Sequence, residues 1–213
     1  IFKDECNKTN STFLSVSRNV KVKSLSKTFS KRKIRIEYNK NQNFELNLEN
    51  PANYYLMNTK TAIFTFIKTA EYYKKVPLLN KHNKNKFKVY GRWNIISKNP
   101  YIISDGCHNI DSFKSIISEI NQSSFKIIYF ITGGVKEKKW NEICKILPKK
   151  YNYILIQPSN KRAIRTSDLK RYFVENKLNY NIKIDINDAL KYCKKIASKN
   201  DLIFIGGSLF LMS

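Results

Sequence analysis

Apolar and polar positions along the chain change rhythm once. In Ile34–Tyr38 and Phe44–Leu48 they alternate, with Asn39–Asn43 between, so the pattern predicts strand, turn, strand. Ala62, Ile63, Phe66, Ile67, Ala70 and Tyr73 recur at helical spacing, which predicts an amphipathic helix over Thr59–Lys75 that Pro77 stops. Ile1–Asn10 reads as the end of a helix, Thr12–Val16 as a strand, and the basic stretch Lys21–Lys33 as a loop or ragged edge. Leu79–Lys88 then loses nearly all apolar residues and reads as a connection between two units or a solvated edge.

Beyond it, short unbroken apolar runs alternate with helical patterns. The expected strands are Tyr101–Ser104, Lys126–Thr132, Tyr153–Gln157, Asn181–Ile184 and Leu202–Ile205. The expected helices run from Asp111 to about Asn121, around Trp140–Leu147, from Ser167 to about Val174, and over Ile186–Ser198. A last helix is expected after Gly206-Gly207-Ser208. Unbroken runs of Ile, Tyr, Phe and Leu suit strands buried on both faces, so the fold class is α/β with a mostly parallel sheet. Ligands of such sheets sit at the carboxyl ends of the strands. The chain divides at about residue 84, giving units 1–84 and 85–213.

Composition narrows the class. The 213 residues are 42% hydrophobic, enough for a packed core and too much for wholesale disorder. No run of about 18 apolar residues occurs, so no membrane span is expected. Lys plus Arg number 40 against 16 Asp plus Glu, a formal charge of +24. That charge suits a polyanion such as nucleic acid. The lysines are spread along the whole chain, however, and Lys, Asn, Ile, Tyr and Phe are abundant together, as A/T-rich codons produce. A bias in composition accounts for the charge better than a nucleic-acid footprint does. Cys6, Cys107, Cys144 and Cys193 form no C-x-x-C, and with only His82 and His108 no zinc pattern can be written. They read as reduced thiols of a cytoplasmic protein. Starting at Ile1 and stopping after an apolar stretch, the sequence reads as a piece cut at both ends.

Three loops after strands carry candidate chemistry. Asp105-Gly106-Cys107-His108-Asn109 packs an acid, an imidazole and an amide around a glycine turn, and serves equally as a turn with a helix cap. Thr132-Gly133-Gly134-Val135-Lys136-Glu137-Lys138 combines glycines with lysine, which suits an anion or an ordinary βα turn. Gly206-Gly207-Ser208 exposes backbone N–H groups at a helix start. No P-loop motif occurs in the chain.

Together these loops resemble the folylpolyglutamate synthase/dihydrofolate synthase branch of the Mur ligase superfamily. Gly91-Arg92-Trp93, Asn99-Pro100 and Asp105–Asn109 are similar to that family's GRW, NP and DGAHN block. Ile131–Lys138 resembles its GVLKDKD loop, Pro158 with Arg162-Ala163 its PxxxRA segment, and Asp201–Leu211 its terminal GSLYL stretch. Tyr54–Asn58 resembles YQxxN at the head of a central-domain helix. Ala52, Tyr55, Cys107 and Ile110 stand where the family usually has Gly, Gln, Ala and Pro.

The resemblance implies a Rossmann-like C-terminal glutamate-ligase domain preceded by the end of an α/β ATP-binding central domain. It implies an ATP-dependent ligase that joins L-glutamate to dihydropteroate or folate through an acyl phosphate. Asn58, Arg92 and Asp105 would contact ATP, and His108 and Ser208 would lie near the glutamate or the transferring phosphate. The P-loop and the Mg2+ ligands would precede Ile1, so no metal ligand is expected here and the piece would be inactive alone. A monomer is expected, without nucleic-acid or membrane partners. A muramyl-peptide ligase on the same fold and a basic nucleic-acid-binding module are the rival readings, and a GTNGKGS-like P-loop upstream would mark the folate branch. Arg92, beside a basic connector, and Asp105, ending a strand, both read as placed for ligand rather than for core.

Overall fold

The computed structural model of the protein describes residues 2–38, 42–75 and 91–211. The chain splits into two compact units, Ile1–Asn85 and Lys86–Ser213. Of the turn expected over Asn39–Asn43, residues 39–41 lie outside the described residues and Gln42 and Asn43 belong to a strand; the Pro77 stop and the apolar-poor stretch 79–88 also lie outside the described residues.

In the first unit α1 (Phe2–Lys8) and the short α2 (Val16–Asn19) lead into three strands, β1 (Val20–Lys27), β2 (Arg32–Tyr38) and β3 (Gln42–Leu48), followed by α3 (Asn53–Tyr72). The strands form an antiparallel meander in chain order. Alternation puts Val20, Ile34, Ile36, Tyr38 and Leu48 on one face, where they meet Ile63, Phe64 and Ile67 of α3. The other face mixes charges: Lys23 pairs with Glu37 at 2.9 Å, and Glu45 takes Lys33 at 2.9 Å and Arg35 at 2.7 Å. At the far end of the helix the Tyr38 hydroxyl donates to Glu71 at 2.9 Å, whose other oxygen pairs with Lys68 at 2.7 Å.

Three expectations need correction here. Residues 11–15 form no strand, and Val16 instead begins α2. Lys21–Lys33 is not a loop, because β1 occupies most of it. As an edge strand β1 keeps its lysines in water, and an irregularity between Ser24 and Ser26 breaks its alternation. The helix starts at Asn53 rather than Thr59. Its first turn has no apolar period, yet Tyr55 and Leu56 pack on the core cluster and Arg32 donates to Asn53 Oδ1 at 2.8 Å.

The second unit runs β4 (Asn94–Lys98), β5 (Tyr101–Asp105), α4 (Ile110–Asn121), β6 (Ile128–Thr132), α5 (Trp140–Ile146), β7 (Asn152–Leu155), α6 (Thr166–Glu175), β8 (Tyr180–Ile182), α7 (Ile186–Ile196) and β9 (Leu202–Gly206). The helix expected after Gly206–Ser208 is one 3-10 turn, Leu209–Leu211. The sheet order is β4-β5-β9-β6-β7-β8, parallel except for β4, which runs antiparallel to β5. The mostly parallel α/β reading therefore holds.

Both faces of this sheet are covered. Phe204, Phe130 and Tyr153 stand side by side in register on one face. Phe113 of α4 stacks on Phe130 and Phe173 of α6 meets Tyr153 edge-on. On the opposite face Ile102, Tyr129, Ile131, Ile154, Ile203 and Ile205 pack with Ala189 and Cys193 of α7. The chain fills β6, β7 and β8 outward and then returns through α7 to insert β9 between β5 and β6. That reversal of strand order places a crevice at the carboxyl ends of the central strands. Among the described residues no helix is long and apolar enough to cross a membrane.

Candidate active site

Asp105, Gly206 and Thr132 end β5, β9 and β6 at one level, because Asp105 pairs with Gly206 and Gly206 with Thr132. The three loops singled out in the sequence therefore leave the sheet side by side. All six glycines of the chain lie on this edge or in the turn tied to it, at positions 91, 106, 133, 134, 206 and 207. Their gathering is a signal the sequence carried and motif reading did not use.

Two of these glycines are required by geometry. A Cβ on Gly133 would stand 2.2 Å from the backbone oxygen of Ile156. Gly207 has φ +121°, and a Cβ there would meet Thr132 Oγ1 at 2.5 Å and the Gly133 oxygen at 2.6 Å. The β6 and β9 loops thus touch backbone to backbone, with no room for a side chain between them. Thr132 is fully buried at this contact, and its hydroxyl has no hydrogen-bond partner in the structure.

Lys138 closes the same corner. Its ammonium donates to the Gly207 carbonyl and lies 5.8 Å from the centre of the Trp140 ring. Burial holds it down to about 8, against the upward pull of the Cys107 thiolate form. The sequence offered Lys138 only as one charge in a basic loop. The structure makes it a half-buried cation at this edge. Its loop is strapped to the Pro158–Ala163 segment: Lys136 N–H donates to Arg162 O at 2.9 Å, Ile164 N–H to Gly134 O at 2.8 Å, and Arg162 pairs with Glu137 at 3.1 Å.

The β5 loop supplies the acid. Asp105 is 2% exposed, so it does not stand free toward solvent as its sequence position suggested. Its Oδ2 accepts the N–H of Trp93 at 2.8 Å, and the next residue, Gly106, donates to Gly91 O at 2.8 Å. Arg92, half-buried, lies between those two anchored residues. Cys107 is fully buried, and burial pushes its thiol well up. The Asp105 carboxylate adds to that rise, while Lys138 and Arg92 oppose it. Those influences show the four side chains acting on one small volume.

His108 is exposed, with Nδ1 3.0 Å from Gly106 O. Asn109 caps α4: its Oδ1 accepts the Ser112 N–H at 2.9 Å, and Ser112 Oγ accepts the Asn109 N–H at 3.0 Å. Asn109→Ala should therefore cost about 1 kcal/mol of stability, read as a lower urea midpoint at unchanged slope. Ser208 is 4% exposed and its Oγ accepts the Phe210 N–H at 3.4 Å. Four of the five expected site residues, Arg92, Asp105, His108 and Ser208, thus belong to this edge. Asn58 lies on the first unit, exposed on α3. Among the described residues no group of three or more His, Cys, Asp or Glu could hold a metal ion.

Residues 91–209 match the family model described as Mur ligase, glutamate ligase domain. A curated relative, the dihydrofolate synthase/folylpolyglutamate synthase of Buchnera aphidicola subsp. Schizaphis graminum, is 28% identical over 136 residues, 62% of this chain and 32% of that protein. Among solved structures, folylpolyglutamate synthase from Thermotoga maritima superposes with a TM-score of 0.74 at 21% identity, over 98% of this chain and 48% of that one. Folylpolyglutamate synthase from Mycobacterium tuberculosis, solved with ADP and AMPPCP, gives a TM-score of 0.78 at 10% identity, over 98% and 50%. The chain spans about half the length of these solved chains. Since the family match covers more than half of the 213 residues, the chain belongs to the Mur ligase family through its glutamate ligase domain.

Proposed function

We propose that this chain is the C-terminal half of an ATP-dependent ligase that adds L-glutamate to dihydropteroate or folate. The observation that carries the reading is one sheet edge at which Arg92, Asp105, Lys138, His108 and Ser208 gather beside a wall of glycine backbone. In this reading Ile1–Asn85 ends the ATP-binding domain, with Asn58 facing nucleotide, and Lys86–Ser213 carries the glutamate chemistry.

A substrate carboxylate oxygen attacks the γ-phosphorus of ATP and ADP leaves. The glutamate amine then attacks the acyl phosphate, an amide forms, and phosphate leaves with its bonding pair while the amine loses a proton. The Arg92 guanidinium offers a two-pronged donor to phosphate oxygens. Lys138 holds positive charge in a partly desolvated corner, where it counts for more against an anion than in open water. His108 and Ser208 border the place of the glutamate. Among the described residues no group of three or more His, Cys, Asp or Glu offers a donor set to a divalent cation, Mg2+ in this reading. Four free cysteines, three of them buried, fit a cytoplasmic enzyme, which in this reading acts as a monomer on small molecules.

The test is Arg92→Ala in the complete ligase that carries this chain. Loss of a charge-assisted contact should cost about 1.5–3 kcal/mol, a ten- to hundredfold fall in kcat/KM for ATP. The loss in stability should stay under about 1 kcal/mol. Wild-type kcat/KM for ATP would sink the nucleotide role of this residue. Activity with UDP-linked muramyl peptides and none with pteroates would move the chain to the muramyl-peptide branch.

A further inference from the structure

Arg92 sits in a turn with a left-handed residue on each side of it. Gly91 has φ +71° and Trp93 has φ +46°. Glycine takes such a conformation freely, whereas for a residue as bulky as Trp it is a genuine outlier. Strain of this kind persists only where the surroundings over-determine it. At Trp93 the side chain supplies part of that hold. It is 3% exposed, and its ring centre lies 6.2 Å from that of Phe204, tilted by 54°. Phe204 is itself fully buried, 4.8 Å from Phe130, which lies 5.8 Å from Tyr153. Trp93 thus extends the aromatic row that crosses the sheet. Backbone N–H groups tie the same turn to the end of β5: Gly91 O accepts from Gly106 N–H and Trp93 N–H donates to the Asp105 carboxylate, each at 2.8 Å. Half-buried Arg92 lies between the two tied residues.

We infer that Trp93 is a positioning residue: seated on Phe204, its ring holds the left-handed turn closed and so fixes the backbone from which Arg92 meets the nucleotide. This rests on the nucleotide reading of Arg92 given above. The conformation at residue 93 is unfavourable on its own, so the turn relaxes once the ring comes loose. Relaxation there changes the backbone adjoining Arg92. A guanidinium on a long, flexible side chain presents its two-pronged geometry to a phosphate only where its base is fixed. A Trp93 that served the core alone would change stability and leave the affinity for ATP untouched, so kinetics part the two roles.

Trp93→Ala and Trp93→Phe, made in the complete ligase that carries this chain, are the test. Trp93→Ala should raise KM for ATP by about ten- to hundredfold, with kcat and KM for L-glutamate each within about threefold of wild type. Trp93→Phe keeps a ring against Phe204 and should hold KM for ATP within about threefold. Hydrogen exchange at the amide of residue 93, which is protected only while the turn is closed onto β5, should quicken by at least about tenfold in the Ala variant and by no more than about threefold in the Phe variant. Combined with Arg92→Ala, Trp93→Ala should add less than about threefold, because both remove one interaction. Should the Ala variant not fold, Trp93→Leu leaves apolar bulk in the core and should raise KM for ATP by at least about fivefold. A lower urea midpoint with an unchanged KM for ATP, in Trp93→Ala or in the Leu variant that replaces it, makes Trp93 a core residue only and overturns the inference. Effects that multiply in the double variant overturn it as well. A silent Arg92→Ala rejects the nucleotide reading, while exchange at residue 93 still decides whether the ring holds the turn.

Discussion

Replacing Phe130 with Ala should lower the stability of the second unit by about 3–5 kcal/mol. Phe130 is completely buried at the centre of β6. Its ring centre lies 4.8 Å from Phe204, 5.8 Å from Tyr153 and 6.1 Å from Phe113. The neighbouring strands and α4 all converge on it, so the space left by the ring cannot collapse without moving the sheet. Each ring pair adds to the apolar burial: Phe204 and Tyr153 meet the Phe130 ring tilted, and Phe113 stacks on it. The effect should appear as a lower urea midpoint with an unchanged slope. Ile184→Ala, at a side chain 84% exposed, is the control and should move stability by less than about 0.5 kcal/mol. A loss under 1 kcal/mol at Phe130 would mean that the aromatic row is not where this unit's stability resides.

The same row explains what the sequence could and could not tell. Runs such as Ile128–Thr132 and Leu202–Gly206 are apolar at every position because both faces are covered, and that is why they could be read directly as central strands. β4 was not singled out, since its exposed Ile96 and Lys98 belong to an edge that neighbours cover on one side only. β1 was missed for a related reason: an edge strand spends its outward positions on lysine, which looks like a loop when read without its partner. The first turn of α3 depends on Arg32 and on contacts to the sheet, and so has no local signal. At the site, the three post-strand loops were legible as glycine turns flanked by charge. What the pattern could not show is burial. Asp105 looked exposed because a strand ends there, yet the Trp93 N–H folds back onto it. Lys138 looked exposed because three charged neighbours surround it in sequence, yet the Gly207 carbonyl draws it in.

Burial of ionisable groups also sets the pH range in which the fold survives, and the expected result is steep alkaline unfolding. Cys107, Cys144 and Cys193 are each at most 1% exposed. Burial pushes their thiols up from 9.0, Cys144 and Cys193 to about 12 and Cys107 further, with Asp105 adding to the rise at Cys107 and Glu175 at Cys144, while Lys183 opposes it at Cys193. A group whose folded pKa is raised contributes stability that is complete below its unfolded value and lost as pH climbs toward the folded one. Each thiol therefore stabilises the fold fully below pH 9 and withdraws about 1.4 kcal/mol per pH unit above it. Lys138 acts in the opposite sense. Burial lowers it from 10.5 to about 8, so between those limits rising pH relieves a strain that the folded state carries. Three thiols against one ammonium leave two protons more on the folded state, a slope approaching about 3 kcal/mol per pH unit between about pH 9 and 10. From about pH 10, the ordinary phenol value, the buried Tyr151 and Tyr153 phenols, both raised by desolvation, steepen the loss further. Urea melts at pH 8.0, 9.0, 10.0 and 10.5 measure the slope, and unfolding at pH 10 should release protons into a weakly buffered solution. Cys144→Ala should flatten the slope by about 1.4 kcal/mol per unit, at the cost of a small cavity that acts equally at every pH. Equal stability at pH 8 and pH 10 would show that water reaches these thiols in the folded state and that the core around β6, β7 and α7 is looser than its packing implies.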